Sequence, residues 1–180
     1  MLAIVIAVAL SGVNATNHPP PSSYVLKGAC PFECCTYRDW SVDKQTVLYL
    51  KPSVGSKKVG ALETGESATG LTGEVHATPV RFTVKRLHDA YNPGDILWVY
   101  SYSGEGIFTV WRNGRLVGED LGFSPYGGTG GNRCEQPSQS CWGTLESELK
   151  SNWWVKVKTK GGIVGWSNQP EHFGNKDACG

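Results

Sequence analysis

The residues of this chain that could do chemistry are six cysteines, four histidines, a few carboxylates and a stripe of tryptophan and lysine. A cysteine nucleophile needs a free thiolate, a histidine within hydrogen-bond reach and a third group to orient that histidine. His18, His76, His88 and His172 form no such motif with any cysteine. Ser53 and Ser103 lie in turn sequences without the Gly-x-Ser-x-Gly elbow of a serine hydrolase. Glu74, Glu105, Glu119 and Asp120 would work as acid and base only if the fold assembled two of them, and acidic residues beside strand turns are ordinarily just solvated. No catalytic residue is assigned, and the chain is not expected to be an enzyme.

The cysteines do not read as a metal site either. Cys30-x3-Cys34 and Cys134-x6-Cys141 lack paired Cys-x2-Cys knuckles, and adjacent Cys34 and Cys35 would crowd one ion, so neither metal nor cofactor is expected. They read as disulfides formed in an oxidising compartment. Cys134 and Cys141 flank a short polar loop and are expected to pair. Cys30, Cys34 and Cys35 near the start and Cys179 near the end suggest a clasp between the termini, with room for two bridges and the pairing open.

Binding is the better expectation. In Trp153-Trp154-Val155-Lys156-Val157-Lys158, the two valines alternate with Trp154, Lys156 and Lys158, the period of a half-buried strand. Gly161-Gly162 supplies a tight turn, and Ile163, Val164 and Trp166 form the returning strand, with Val155, Val157 and Trp166 assigned to the core. A face carrying Trp154, Lys156 and Lys158 suits a carboxylate-bearing peptide. Trp98, Tyr100, Tyr102 and Trp111 complete the candidate ligand-binding set, as flat aromatic walls of the kind that peptides dock against. Strict alternation puts Trp98, Tyr100 and Tyr102 on one strand face, with Leu97 and Val99 on the other.

The elements that must position these residues are strands. A chain with 18% charged residues, 23 glycines and 7 tryptophans has the profile of short strands and many turns, so an all-β fold is expected. A formal net charge of +1 provides no broad footprint for nucleic acid or an anionic membrane. Residues 1–10 are apolar and end in the small-residue pattern Val13-Asn14-Ala15, which reads as a signal peptide over 1–15, although it lacks a basic n-region. The run is too short to span a bilayer, and no stable membrane insertion is expected once it is removed. Residues 16–29, with Pro19-Pro20-Pro21, read as an extended linker. An exported protein, periplasmic or extracellular, is expected.

From residue 30 onward, strands are expected at 46–50, 57–62 and 67–77. A meander over about 80–118 follows, with strands at 80–85, 96–102, 107–112 and 115–117 and a hairpin signal at Asn113-Gly114. Residues 119–143, rich in Gly and Ser, read as a long surface loop closed by its own disulfide. Residues 145–150 fit either one helical turn or the approach to a strand, and 168–173 a short 3₁₀ turn.

Leu48, Pro52-Ser53, Val59-Gly60-Ala61-Leu62, Gly65-Glu66 and the Gly165-Trp166 pair occur in an order that resembles bacterial SH3-like (SH3b) domains. Cys30-Pro31, Trp40, Leu71-Thr72-Gly73-Glu74-Val75, Ser103-Gly104-Glu105-Gly106 and Asp177-Ala178-Cys179 extend the resemblance, over residues 30–180, to exported bacterial members that are mostly uncharacterised. The resemblance implies a single small SH3-like barrel enlarged by a nested antiparallel meander and a disulfide-closed loop. It implies a non-catalytic binding protein of the envelope, with a peptidoglycan stem peptide or an envelope protein as partner. A structural or protein-interaction factor, an inhibitor or assembly partner using the 119–143 loop, is the alternative. Such a barrel serves many tasks, so it speaks to fold before function.

Overall fold

β-Branched and aromatic runs of two to twelve residues, broken by glycine-rich turns, assemble in the computed structural model into two antiparallel sheets. The structure describes residues 20, 22–32, 34–112, 114–124, 134 and 141–179. The expected signal peptide and the middle of the Gly-rich loop lie outside the described residues. In chain order the strands are β1 (Tyr24–Lys27), β2 (Asp39–Val42), β3 (Thr46–Tyr49), β4 (Lys58–Leu62), β5 (Ser67–Thr78), β6 (Val80–Val84) and β7 (Ile96–Gly104). They continue as β8 (Ile107–Arg112), β9 (Arg115–Asp120), β10 (Gly143–Leu145), β11 (Lys150–Thr159), β12 (Val164–Ser167) and β13 (Phe173–Gly174), with a 3₁₀ turn at Pro170–His172. No α-helix occurs among the described residues, so the all-β expectation holds.

The larger sheet runs β13-β2-β5-β11-β12-β3-β4, with β1 added on β5, and curls into a half-barrel. Its concave face closes over Trp40, Val42, Leu48, Leu62, Ala68, Val155, Val157 and Phe173. Trp40, wholly buried, organises this core: its ring packs on Tyr37 (5.5 Å), Phe173 (5.7 Å) and Trp153 (6.5 Å), and its Nε1 donates to the Thr36 carbonyl at 3.0 Å. Val155 and Val157 are buried there as the alternation predicts. Trp166 is buried too, but on the convex face opposite Lys156, while Gly165 takes the concave position opposite Val157. The reason is steric: a Cβ on Gly165 would lie 2.7 Å from the Leu48 Cβ.

The smaller sheet runs β10-β6-β7-β8-β9 and builds a core of its own from Phe82, Val84, Leu97, Val99, Phe108 and Val110. The meander is therefore not a flap on the first core. The segment read as a surface loop is also corrected at both ends, because β9 extends to Asp120 and Leu121, Phe123, Cys134, Cys141 and Trp142 are all buried against this sheet. Trp142 stacks on His88 (4.4 Å) and on Tyr91 (5.5 Å), whose ring lies 4.9 Å under the Arg112 guanidinium. Burial, and then the Glu119 carboxylate, raise the Tyr91 pKa. Residues 145–150 carry no helical turn; they end β10 and lead into β11.

Two further differences fix how the sheets meet. Residues 24–27, placed in the linker by their position, pair with β5 as strand β1 because Leu26 and Tyr24 bury apolar surface there. On β7 the register shifts between Val99 and Ser101, a bulge that inserts Tyr100 as an extra residue. Beyond it the faces exchange, so Tyr102 sits opposite Phe108 on the core side with Leu97 and Val99, rather than with Trp98.

The disulfides are Cys134–Cys141, as expected, together with Cys30–Cys35 and Cys34–Cys179. One bridge thus clasps the termini and its neighbour is local. Because the clasp closes a separation of 145 residues and the local bridge only 5, replacing Cys34 and Cys179 by alanine is expected to lower the unfolding free energy by about 3–5 kcal/mol, against about 2 for Cys30 and Cys35. Denaturant titration of the two double variants checks the order. Gly73 offers a second test: a Cβ there would stand 2.4 Å from both Trp153 Nε1 and the Tyr37 hydroxyl and 2.7 Å from the Ala29 carbonyl oxygen. Gly73→Ala should cost about 2–3 kcal/mol in the same titration.

Candidate functional site

Where β1, β5 and β11 run past the half-barrel core, their concave face continues as a wall. Leu26, Val75 and Trp153 lie in one register row across the three strands, and Tyr24, Ala77 and Ser151 in the next. The bulged stretch of β7 faces this wall. Tyr100, wholly buried, meets Tyr24 edge-to-face at 5.7 Å and 72°, which joins the sheets at that end. Beyond this contact the sheets diverge around a cleft of about 830 Å³.

The wall on the larger-sheet side is continued by Ala29, Cys30, Pro31 and Phe32. Ala29 N donates to the Gly73 carbonyl at 3.0 Å, and the Tyr37 hydroxyl donates to the Ala29 carbonyl. Burial raises the Tyr37 pKa, and the Trp153 indole beside it pulls the other way. The Cys30–Cys35 bridge anchors the segment, and Phe32 lies edge-on to Trp153 at 5.9 Å. The opposite wall is Ser101, Tyr102, Ser103 and Ile107, with the β7–β8 turn as its lip.

Ser101 is the residue that gives this space chemical meaning. It is only 6% exposed, and its Oγ is buried without a hydrogen-bond partner among the described residues. A buried hydroxyl left unpaired costs about 1–3 kcal/mol, so such a group calls for a ligand or water to complete it. At the lip, Gly104, Glu105 and Gly106 have φ of 104°, 49° and 82°, a run of left-handed backbone that makes Glu105 the turn's exposed tip. Gly106 N donates to the Tyr102 hydroxyl at 3.3 Å and steadies the turn. Glu105 is the one charged side chain among the described lining residues.

The seven sequence-selected residues do not converge on one site. Tyr102 lines the cleft and Tyr100 supports it from behind. Trp98 and Trp111 pair across β7 and β8, with the Arg81 guanidinium 5.8 Å from the Trp98 ring. Trp154, Lys156 and Lys158 share the convex face of the larger sheet, as alternation requires. Trp154 is only 4% exposed, packed edge-on against Tyr49 at 6.0 Å and beside His76 at 6.3 Å, and Lys156 Nζ sits 5.6 Å over the Trp166 ring.

The groups weighed for catalysis are dispersed too. Glu74 Oε2 lies 3.0 Å from His76 Nε2, and Glu119 pairs with Arg112 at 3.4 Å, while Glu105 and Asp120 both adjoin the β7–β8 turn. His88 stacks on Trp142, His172 Nδ1 is 2.9 Å from the Gln45 carbonyl oxygen, and His18 lies outside the described residues. Cys34, Asp177 and Cys179 cluster closely enough to hold a cation, but their two sulfurs are bonded to one another and leave one carboxylate as ligand.

Sequence reading passed over Ser101, Trp153 and Phe32 as site residues and weighed Glu105 only as a turn residue and a possible catalytic carboxylate. A signal existed for the turn, in Gly104-Glu105-Gly106, but none for Ser101, whose inward aim comes from the bulge. Ser101→Ala removes the unpaired hydroxyl and is expected to raise the unfolding free energy of the unliganded protein by about 1 kcal/mol in denaturant titration, whereas a hydroxyl serving the fold would lower it on removal. No family model matches the chain, and neither a curated protein nor a solved structure is similar to it.

Proposed function

We propose that this chain is an exported, non-catalytic binding protein that holds its ligand in the cleft between the two sheets. The observation that carries the reading is Ser101, a buried hydrogen-bonding group without a partner among the described residues at the wall of a mainly apolar space. A cleft of about 830 Å³ also falls within the roughly 300–1,000 Å³ usual for ligand pockets. Non-covalent action is supported by the cysteines, all consumed in bridges, and by the three described histidines, none of which lines the cleft. Export is supported by the same bridges, because disulfides persist where the surroundings are oxidising.

The larger sheet gathers Leu48 on β3, Val59–Leu62 on β4, Val155 and Val157 on β11 and Gly165-Trp166 on β12 into one curl, which supports reading it as an SH3-like barrel. On that resemblance, the peptidoglycan stem peptide is the first ligand to test and an envelope protein the second. Trp154→Ala would be a poor probe because it empties a buried site. Ser151 is exposed on the cleft wall, so Ser151→Trp obstructs the cleft while leaving both cores intact. The wild-type protein is expected to sediment with purified peptidoglycan and Ser151→Trp to stay in solution. Retention unaffected by Ser151→Trp would move the contact to another face, and no retention of wild type would turn the search to an envelope protein.

A further inference from the structure

Granting that the cleft is a ligand site, its charge and walls specify what it selects. The described lining offers apolar and aromatic surface from Leu26, Val75, Ile107 and Trp153, the Ser101 hydroxyl, and one charge, the Glu105 carboxylate. A second carboxylate stands against the same lip: a Cβ on Gly106 would be 2.9 Å from Asp120 Oδ1, which accepts from Gly122 N at 2.8 Å. The lysines on the wall strands face away. Lys27 lies opposite Glu74, and Lys156 opposite Trp166, both on the convex face. An almost neutral chain therefore presents a mainly apolar slot with an acidic rim, while the lysines of its wall strands lie on the other face of the same sheet.

We propose that the cleft binds a cationic peptide. A lysine or arginine side chain can cover apolar wall with its methylene stem and keep its charged head at the wet rim beside Glu105. The aromatic faces of Trp153, Tyr102 and Phe32 add attraction for that head. A backbone carbonyl of the same peptide accepts the Ser101 hydroxyl and removes the orphan. An acidic peptide gains the apolar contact but meets Glu105 and Asp120 with like charge.

Three blocked tripeptides separate these terms: Ala-Xaa-Ala with lysine, norleucine or glutamate at the centre, titrated into the full-length oxidised protein and followed by the tryptophan indole NMR signals. The lysine peptide is expected to bind about two- to five-fold more tightly than its norleucine isostere, the range for an exposed ion pair. The glutamate peptide should bind most weakly. Glu105→Gln should erase the advantage of the lysine peptide over its norleucine isostere, and Ser151→Trp should abolish all three titrations. Equal binding of lysine and norleucine peptides, or tighter binding of the glutamate peptide, would overturn the charge selection while leaving the cleft a ligand site. Titrations that persist in Ser151→Trp, or the absence of any titration in wild type, would overturn the cleft reading itself.

Discussion

The ladder between β5 and β11 is the constraint on which the rest of the molecule depends. It runs from Lys150 opposite Thr78 to Thr159 opposite Ala68, with one bulge at the Lys156/Val157 step. β5 also pairs with β1 and β2, so three strands from both ends of the sequence are hydrogen-bonded through it. Its first half supplies Ala68 to the half-barrel core, and its second half supplies Val75 and Ala77 to the wall of the cleft. Pairing strands so distant in sequence carries a large loop-closure entropy, which slows such folds and makes a covalent clasp useful. Cys34–Cys179 provides that clasp next to the ends of the same sheet.

Stability and recognition are separated in space. Each sheet has its own apolar core, made of interlocked rings in one case and of the meander under Trp142 and a disulfide in the other. The Ser101 hydroxyl lies where the two units meet, in a cleft outside both core clusters. The Tyr91 hydroxyl and the indole nitrogens of Trp111, Trp142 and Trp153 are also buried without a partner among the described residues. Of these five groups Ser101 and Trp153 line the cleft, where a binding group can be held ready at some cost to the fold.

The two faces of the larger sheet also divide the charge. The convex side sets Lys156 over Trp166 and pairs Glu74 with His76 around a closed aromatic cluster. The concave side carries no lysine among the described cleft residues and ends at an acidic turn. Reading the Trp154, Lys156, Lys158 stripe as a recognition surface was reasonable chemistry, but Trp154 spends its ring on Tyr49 and His76 and leaves little of it for a partner.

Sequence by itself determined a good deal. Period-two alternation placed Val155 and Val157 in a core, glycine pairs and Asn113-Gly114 placed the hairpins, composition excluded helices, and the spacing of Cys134 and Cys141 identified their bridge. These are local consequences of backbone geometry and side-chain volume, legible within a few residues. Other features depended on contacts that no window contains. Tyr102 changed face because one residue was inserted at the Val99/Ser101 step, Trp166 packs on the convex rather than the concave face because only glycine fits against Leu48, and the loop ends became core because they pack against the meander sheet. The cleft belongs wholly to this second kind: Ser101, Glu105 and Trp153 share it only because two sheets, each complete in itself, touch at Tyr24 and Tyr100 and then part.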